Sequence, residues 1–336
     1  MMSESGMPPT GRARVLGLCA ILLISLVSGL GYSATFDGTL AGRNDPSPIY
    51  GVTLDDVSNP RAEVIALSSL ARVPTARVVF DTGESPSYYL KAIRQLRPVS
   101  YIMGELIDSS YMQHYKSVSA VQSWTSSYVN TLGSQVDIRE VGNEINGNWL
   151  SKQWNGADVM PKGEAMFDIV FAQGGKTALT FFYEGEPSDP NNCIATDHGG
   201  NDMFTWINQR FQLSLPSIRR PAETEKVRSG LNYVLISWYP DQCTGQTPNW
   251  PWVYTTLANI FPNAKVGFGE VGTASAELGS NFEINEISTY YPMAKAVSGL
   301  PASYLGGYFW WYFAEEMVPW PGSLGAVLNA ALAASP

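Results

Sequence analysis

From residue 47 onward, eight short runs rich in β-branched and aromatic residues alternate with eight amphipathic stretches of helical length. That alternation specifies a mostly parallel sheet wrapped by helices, because parallel neighbours need a crossover between them. The strands are predicted at Ile49–Leu54, Ala76–Phe80, Ser100–Gly104, Val136–Val141, Ala178–Tyr183, Tyr233–Trp238, Lys265–Gly269 and Gly307–Tyr312. The helices are predicted near 59–72, 86–96, 115–132, 162–173, 202–215, 252–260, 283–298 and 323–334. Eight strand-then-helix units match the size and order of an α/β (β/α)8 TIM barrel, a single domain spanning 35–336.

Residues 1–34 stand outside this pattern. Arg12 and Arg14 precede an apolar run, Val15 to Leu30, and small residues follow around Tyr32-Ser33-Ala34. This reads as a secretory signal peptide cleaved after Ala34, with an uncleaved anchor as the alternative. The apolar run is short for a membrane span of roughly 20 residues. The expected product is a secreted protein with no membrane attachment once the signal is removed.

Losing Glu4, Arg12 and Arg14 moves the formal net charge from −9 to −10. An acidic surface with no basic run longer than Arg219-Arg220 would repel phosphate backbones, so nucleic acid is not an expected partner. Export also bears on Cys193 and Cys243, the two cysteines beyond the signal. In an oxidising compartment a Cys193–Cys243 disulfide is the expected state, two unpaired buried thiols being the alternative.

Catalytic motifs are conspicuous by omission. The only histidines are His114 and His198, at no metal-ligand spacing, and there is no Gly-x-Ser-x-Gly elbow, phosphate loop or dinucleotide fingerprint. Neither a metal nor a cofactor is expected, and the chemistry falls to carboxylates. Glu144, in Val141-Gly-Asn-Glu144, ends the fourth strand, and Glu270, in Val266-Gly-Phe-Gly-Glu270, ends the seventh. In a barrel those ends lie across the mouth from each other. Two acids flanking a glycosidic bond can cleave it, one protonating the leaving oxygen while the other attacks the anomeric carbon or activates water. Any single strand-end glutamate is more often a solvated or salt-bridged acid; here each sits in Gly/Asn-rich backbone where nothing structural asks for one. Asp55, Asp56, Asp81, Glu105, Asp108, Glu184, Glu186 and Asp241 also fall near strand ends, and such a set offers the rival reading of a Ca²⁺ or Mg²⁺ site.

Together, Asn143-Glu144 on strand four, Gly-Phe-Gly-Glu270 on strand seven and Gly307-Tyr-Phe-Trp-Trp311 on strand eight resemble the retaining glycoside hydrolases of clan A, the superfamily of cellulases, mannanases, β-xylosidases and β-glucanases. The resemblance implies Glu144 as acid/base and Glu270 as nucleophile. It also implies that Asn143 bonds the 2-hydroxyl of the reacting sugar, that Arg77 keeps the nucleophile ionised, that Tyr239 touches it, and that Trp311 is a sugar platform. Glu105 and Glu184 are expected to bind sugar hydroxyls or to support the pair. Trp149, Trp250 and Trp252 occupy polar loops, where stacking on a pyranose competes with ordinary loop packing. The implied protein is a monomeric, endo-acting β-glycosidase on a polysaccharide or oligosaccharide. A transglycosylase of the same clan and a non-catalytic carbohydrate-binding barrel are the alternatives.

Overall fold

The computed structural model describes residues 43, 45–150, 159–185, 202–242, 247–275, 277 and 279–336. The signal segment, Trp154, Glu186, Asn191, Asn192, Asp197, His198 and both cysteines of the expected disulfide lie outside the described residues.

Eight parallel strands close into a barrel in sequence order. They are β1 Ile49–Leu54, β2 Thr75–Val79, β3 Tyr101–Glu105, β4 Ile138–Glu140, β5 Lys176–Phe182, β6 Tyr233–Trp238, β7 Lys265–Val271 and β8 Gly306–Trp310. Around them run α1 Pro60–Ser68, α2 Pro86–Leu96, α3 Val118–Leu132, α4 Val159–Ala172, α5 Met203–Arg210, α6 Ala222–Gly230, α7 Trp250–Ile260, α8 Asn281–Tyr290, α9 Met293–Ala296, α10 Phe313–Met317 and α11 Gly325–Ala334. Among the described residues no helix is long and apolar enough to cross a membrane.

The expected (β/α)8 barrel is therefore present, with three local differences, the first being α10, a short extra helix between β8 and the last predicted helix. The predicted 202–215 helix is shorter, and a second helix, α6, follows it before β6. Its sequence AETEKVRSG buries only Thr224 and Val227, so it carries too few apolar positions for periodicity to reveal it. The predicted 283–298 helix is broken into α8 and α9 at Pro292, whose ring removes a backbone donor.

Strand parity explains how the barrel makes a site. A buried cluster of Ile49, Met103, Ile138, Ala178, Tyr233, Leu235, Leu305 and Phe309 plugs the interior. Two residues further along their strands, the same faces present Glu105, Glu140, Thr180 and Ser237, because side chains alternate with a period of two. Apolar below and polar above is thus written into each of these four strands as a single change of residue type. The return face of the sheet packs the larger hydrophobic core against the helices.

One irregularity re-aims the seventh strand. Ile236 pairs with Phe268, but Ser237 pairs with Glu270, leaving Gly269 as an extra residue. This bulge turns Glu270 to the same side as Ser237 instead of the opposite face. A Cβ at Gly269 would lie 2.7 Å from Thr180 Oγ1 and 2.9 Å from Leu235 Cβ, so only glycine fits there. Where β7 and β8 approach, Gly307 has φ 96° and a Cβ there would fall 1.9 Å from the Phe268 carbonyl oxygen.

Several glutamates away from the barrel mouth are buried with no cation paired to them among the described residues. Glu283 lies beside Glu316, Glu63 caps α1 and Glu286 neighbours Asn285, and burial pushes each of these three up to about 7. The sign follows from linkage. A carboxyl raised in the fold is favoured neutral, so its contribution is complete below its unfolded pKa of roughly 4.3 and is lost as pH climbs through about 7. Melting curves at pH 5 and pH 8 are expected to show Glu283→Gln gaining on the wild type at the higher pH. Parallel behaviour of the two proteins would exclude a buried, protonated Glu283.

Candidate active site

The site assembles around one guanidinium. Arg77 on β2 is 0% exposed, and its Nε donates to Glu140 Oε2 at 2.7 Å while Nη1 donates to Glu270 Oε2 at 2.8 Å. Its Nη2 stands 3.1 Å from Glu105 Oε2, an ion pair whose angle does not make a hydrogen bond. The fork of Arg77 therefore addresses β3, β4 and β7 at once, which a lysine ammonium could not match in geometry. Thr180 on β5 donates its hydroxyl to the other oxygen of Glu140.

Glu270 receives two more groups. The Tyr239 hydroxyl, just beyond β6, donates to Oε1, and Ser237 Oγ lies 3.4 Å from the same oxygen. Burial raises the Glu270 carboxyl above its ordinary value, and Arg77 and then Tyr239 oppose that rise by favouring its charge without cancelling it.

Glu144 is built differently. It follows β4 in a stretch still bonded to β5, with Thr180 N donating to Gly142 O and Ile145 N to Thr180 O. Its own φ is 45°, a left-handed value that costs a non-glycine residue energy and that concentrates at functional sites. No cation touches its carboxylate among the described residues: Ser109 Oγ donates to Oε2 at 2.8 Å and Ser237 Oγ meets Oε1 at 2.6 Å. Burial first, and the charge of Glu270 second, lift it to about 8. The two serine hydroxyls pull in the other direction without cancelling that rise.

The pair is thus split by its surroundings, with the charge stabilised on Glu270 and the proton retained on Glu144. Glu105, wholly buried and next to other acids, is lifted well above the carboxylate range, its burial outweighing Arg77.

Asn143 is the third polar group here. Its Oδ1 accepts from Ser109 N at 3.0 Å, which fixes the amide so that Nδ2 is buried with no partner among the described residues. A buried donor without an acceptor costs about 1–3 kcal/mol, and a ligand hydroxyl would recover it. Trp311, half-buried after β8, faces the Arg77 guanidinium at 5.6 Å from its ring centroid, over the same cluster.

The remaining expected contacts divide. Trp149, in the turn after Glu144, is half-buried and stands edge-on to Phe182 at 5.2 Å. Glu184 follows β5, half-buried and pushed by burial up to about 8. Glu105 and Arg77 are 0% exposed, so their place is beneath the pair and not against a sugar. Trp250 has to be corrected. It is the first residue of α7, 2% exposed, and packs among Tyr183, Trp238, Tyr254, Phe268 and Tyr290. Asn249 caps that helix, so the Asn-Trp-Pro that reads as loop is a helix start, and the indole it introduces belongs to the core. Trp252, two residues on and so on the other side of α7, is half-buried against Phe204.

Glu140, Ser109 and Ser237 were not visible as site residues beforehand. Glu140 had a signal: it is two positions from Ile138 on a strand whose inward face is otherwise apolar. Ser237 had a weaker one, a small polar residue inside the apolar run Tyr233–Trp238. Among the described residues, no group of three or more His, Cys, Asp and Glu side chains is arranged to hold a metal ion.

No protein-family model matches the sequence, and no curated protein does. Solved structures do match the fold. A GH1 β-glucosidase from Exiguobacterium antarcticum superposes with a TM-score of 0.51 at 10% identity, over 82% of this chain and 86% of its own. A glucosidase from Croceicoccus marinus superposes with a TM-score of 0.50 at 11% identity, over 79% of this chain and 60% of its own. What this chain shares with them is the fold, a closed (β/α)8 barrel.

Proposed function

We propose that the protein is a secreted, endo-acting retaining β-glycosidase that cleaves a polysaccharide or oligosaccharide, with Glu144 as acid/base and Glu270 as nucleophile. The observation that carries this reading is the asymmetry of two buried carboxyls joined by one hydroxyl. Glu270 is held by Arg77 and Tyr239, and Glu144, among the described residues, by two serines. Because Ser237 Oγ touches both, their nearest oxygens can be no further apart than its two contact distances of 2.6 and 3.4 Å combined. A ceiling that short on the nearest oxygens accords with the roughly 5–5.5 Å between the carboxyl groups of a retaining pair.

In the first step the Glu270 carboxylate forms a bond to the anomeric carbon as the glycosidic bond breaks, and Glu144 gives its proton to the leaving oxygen. In the second, Glu144 takes a proton from water, whose oxygen attacks the anomeric carbon and releases Glu270 as a carboxylate. Asn143 Nδ2 supplies the donor for the hydroxyl beside the reacting carbon, and Trp311 the apolar surface under the ring. Trp149 and Glu184, further along the mouth, would extend the cleft into neighbouring subsites, which is the basis for endo action.

The test is a panel of β-linked glucan, mannan, xylan and galactan assayed for released reducing ends, followed by proton NMR of the fresh product. A β-anomer appearing first, then mutarotating, is the expected result. An α-anomer appearing first would overturn retention, and no release from any glycan would overturn the hydrolase.

A further inference from the structure

Ser237 is 0% exposed, and β6 delivers its hydroxyl between the two acids, 2.6 Å from Glu144 Oε1 and 3.4 Å from Glu270 Oε1. A serine hydroxyl has one proton to donate and lone pairs with which to accept. It therefore cannot donate to both carboxyls at once, but it can accept from one that is protonated while donating to one that is charged.

We infer that Ser237 is a positioning residue whose single proton follows the negative charge from Glu270 to Glu144 and back in each catalytic cycle. This rests on the glycosidase reading above. In the free enzyme Glu144 holds the proton, donates it to Ser237 Oγ, and Ser237 donates to the Glu270 carboxylate. Once Glu270 is esterified to the sugar and Glu144 has given its proton to the leaving group, the charge sits on Glu144. Rotation of the Ser237 O–H then supplies a donor to that charge, and Ser109 already donates to its other oxygen. No proton is gained or lost by Ser237, and no bond to it is made or broken. Only the direction of its hydrogen bond changes.

The bulge at Gly269 is what makes the sharing possible, because it sets Ser237 and Glu270 side by side on the inner face. The other charged or titratable groups near the pair are Arg77 from β2, Glu105 from β3, Asp108 beyond it, Glu140 from β4, Tyr239 beyond β6 and Tyr312 beyond β8. Of the two acids, and among the described residues, Tyr239 and Arg77 reach only Glu270, and the Ser109 hydroxyl only Glu144. Ser237 is the group common to both.

The consequence is a kinetic signature. Removing the hydroxyl takes a donor from Glu270 in the free enzyme, so the acid limb of the kcat/KM profile moves to higher pH. It also takes a donor from Glu144 in the covalent intermediate, so deglycosylation slows. A hydrogen bond to a charged group is worth roughly tenfold to a hundredfold in rate. The experiment compares wild type, Ser237→Ala and Ser237→Thr on an aryl β-glycoside of a sugar that the wild type hydrolyses, by burst kinetics and by full pH profiles. Expected for Ser237→Ala are an amplified burst, kcat lowered about tenfold to a hundredfold with a lowered KM, and the shifted acid limb; Ser237→Thr, which keeps a hydroxyl, restores all three. An alanine variant with a profile superimposable on the wild type, or one that loses kcat and kcat/KM equally at every pH, overturns the inference. Mass-spectrometric trapping of the wild type with a 2-fluoro glycoside runs alongside. If no adduct forms on Glu270, the nucleophile assignment itself has failed, which separates that failure from the failure of the Ser237 role.

Discussion

Glu270→Gln is expected to lower kcat by at least roughly ten-thousandfold, about 5.5 kcal/mol of transition-state stabilisation, while binding of an oligosaccharide is retained. The amide keeps the shape of the carboxylate and can still meet Arg77 and Tyr239, but it cannot form the glycosyl ester. Truncation to glycine adds a chemical check. With an aryl glycoside and added azide, the azide enters from the vacated face and yields a glycosyl azide of inverted configuration. Glu144→Ala is expected to behave oppositely. Its first step survives for leaving groups that need no proton, the intermediate accumulates, and azide gives the retained configuration. The two azide products identify which carboxylate does which job. Full activity of Glu270→Gln would dispose of the mechanism, and interchanged azide products would reverse the two assignments.

The acid/base also carries a pH prediction. Glu144 stays protonated until about 8, so the alkaline limb of the rate profile is expected near that pH, where the proton donor is lost.

How legible this site is in the sequence depends on which direction a residue points. Strand order could be counted because each strand announces itself by β-branched and aromatic residues, and counting placed Glu144 and Glu270 on β4 and β7. Rank along the chain does not reveal depth. Glu105 and Glu140 are strand residues of the same type as Glu144, yet they lie lower in the barrel and face Arg77. The sequence has no local mark for that difference. Trp250 misled for a related reason, since Asn-Trp-Pro is as good a helix start as a loop, and its burial among Tyr183, Trp238, Phe268 and Tyr290 is set by elements distant in the chain. The bulge at Gly269 was hidden as well. Gly-Phe-Gly-Glu reads as plain alternation, and taken literally that alternation would put Ser237 and Glu270 out of register.

Arg77 shows how far the site and the fold are one object. Removing its charge without its bulk, as in Arg77→Met, leaves Glu105, Glu140 and Glu270 facing one another with no cation among them. Breaking a buried ion pair by deleting one partner costs about 3–5 kcal/mol, because the remaining charge is both desolvated and uncompensated. Three acids left together would take up protons to relieve that cost. The loss measured by urea denaturation is therefore expected to be large at pH 8 and smaller at pH 5. A second change, Glu105→Gln, is expected to return the least of the three, because burial shifts the Glu105 carboxyl toward its neutral form. Glu140→Gln in the same background should return more, since Glu140 takes the shortest of the three Arg77 ion pairs. If Arg77→Met instead unfolds within 1 kcal/mol of the wild type at both pH values, roughly the upper bound for an exposed ion pair, then the cluster is not holding the barrel mouth together. Activity separates the two roles. A folded Arg77→Met that still trapped the sugar on Glu270 at the wild-type rate would mean that the nucleophile's charge is held by Tyr239 and Ser237, not by the guanidinium.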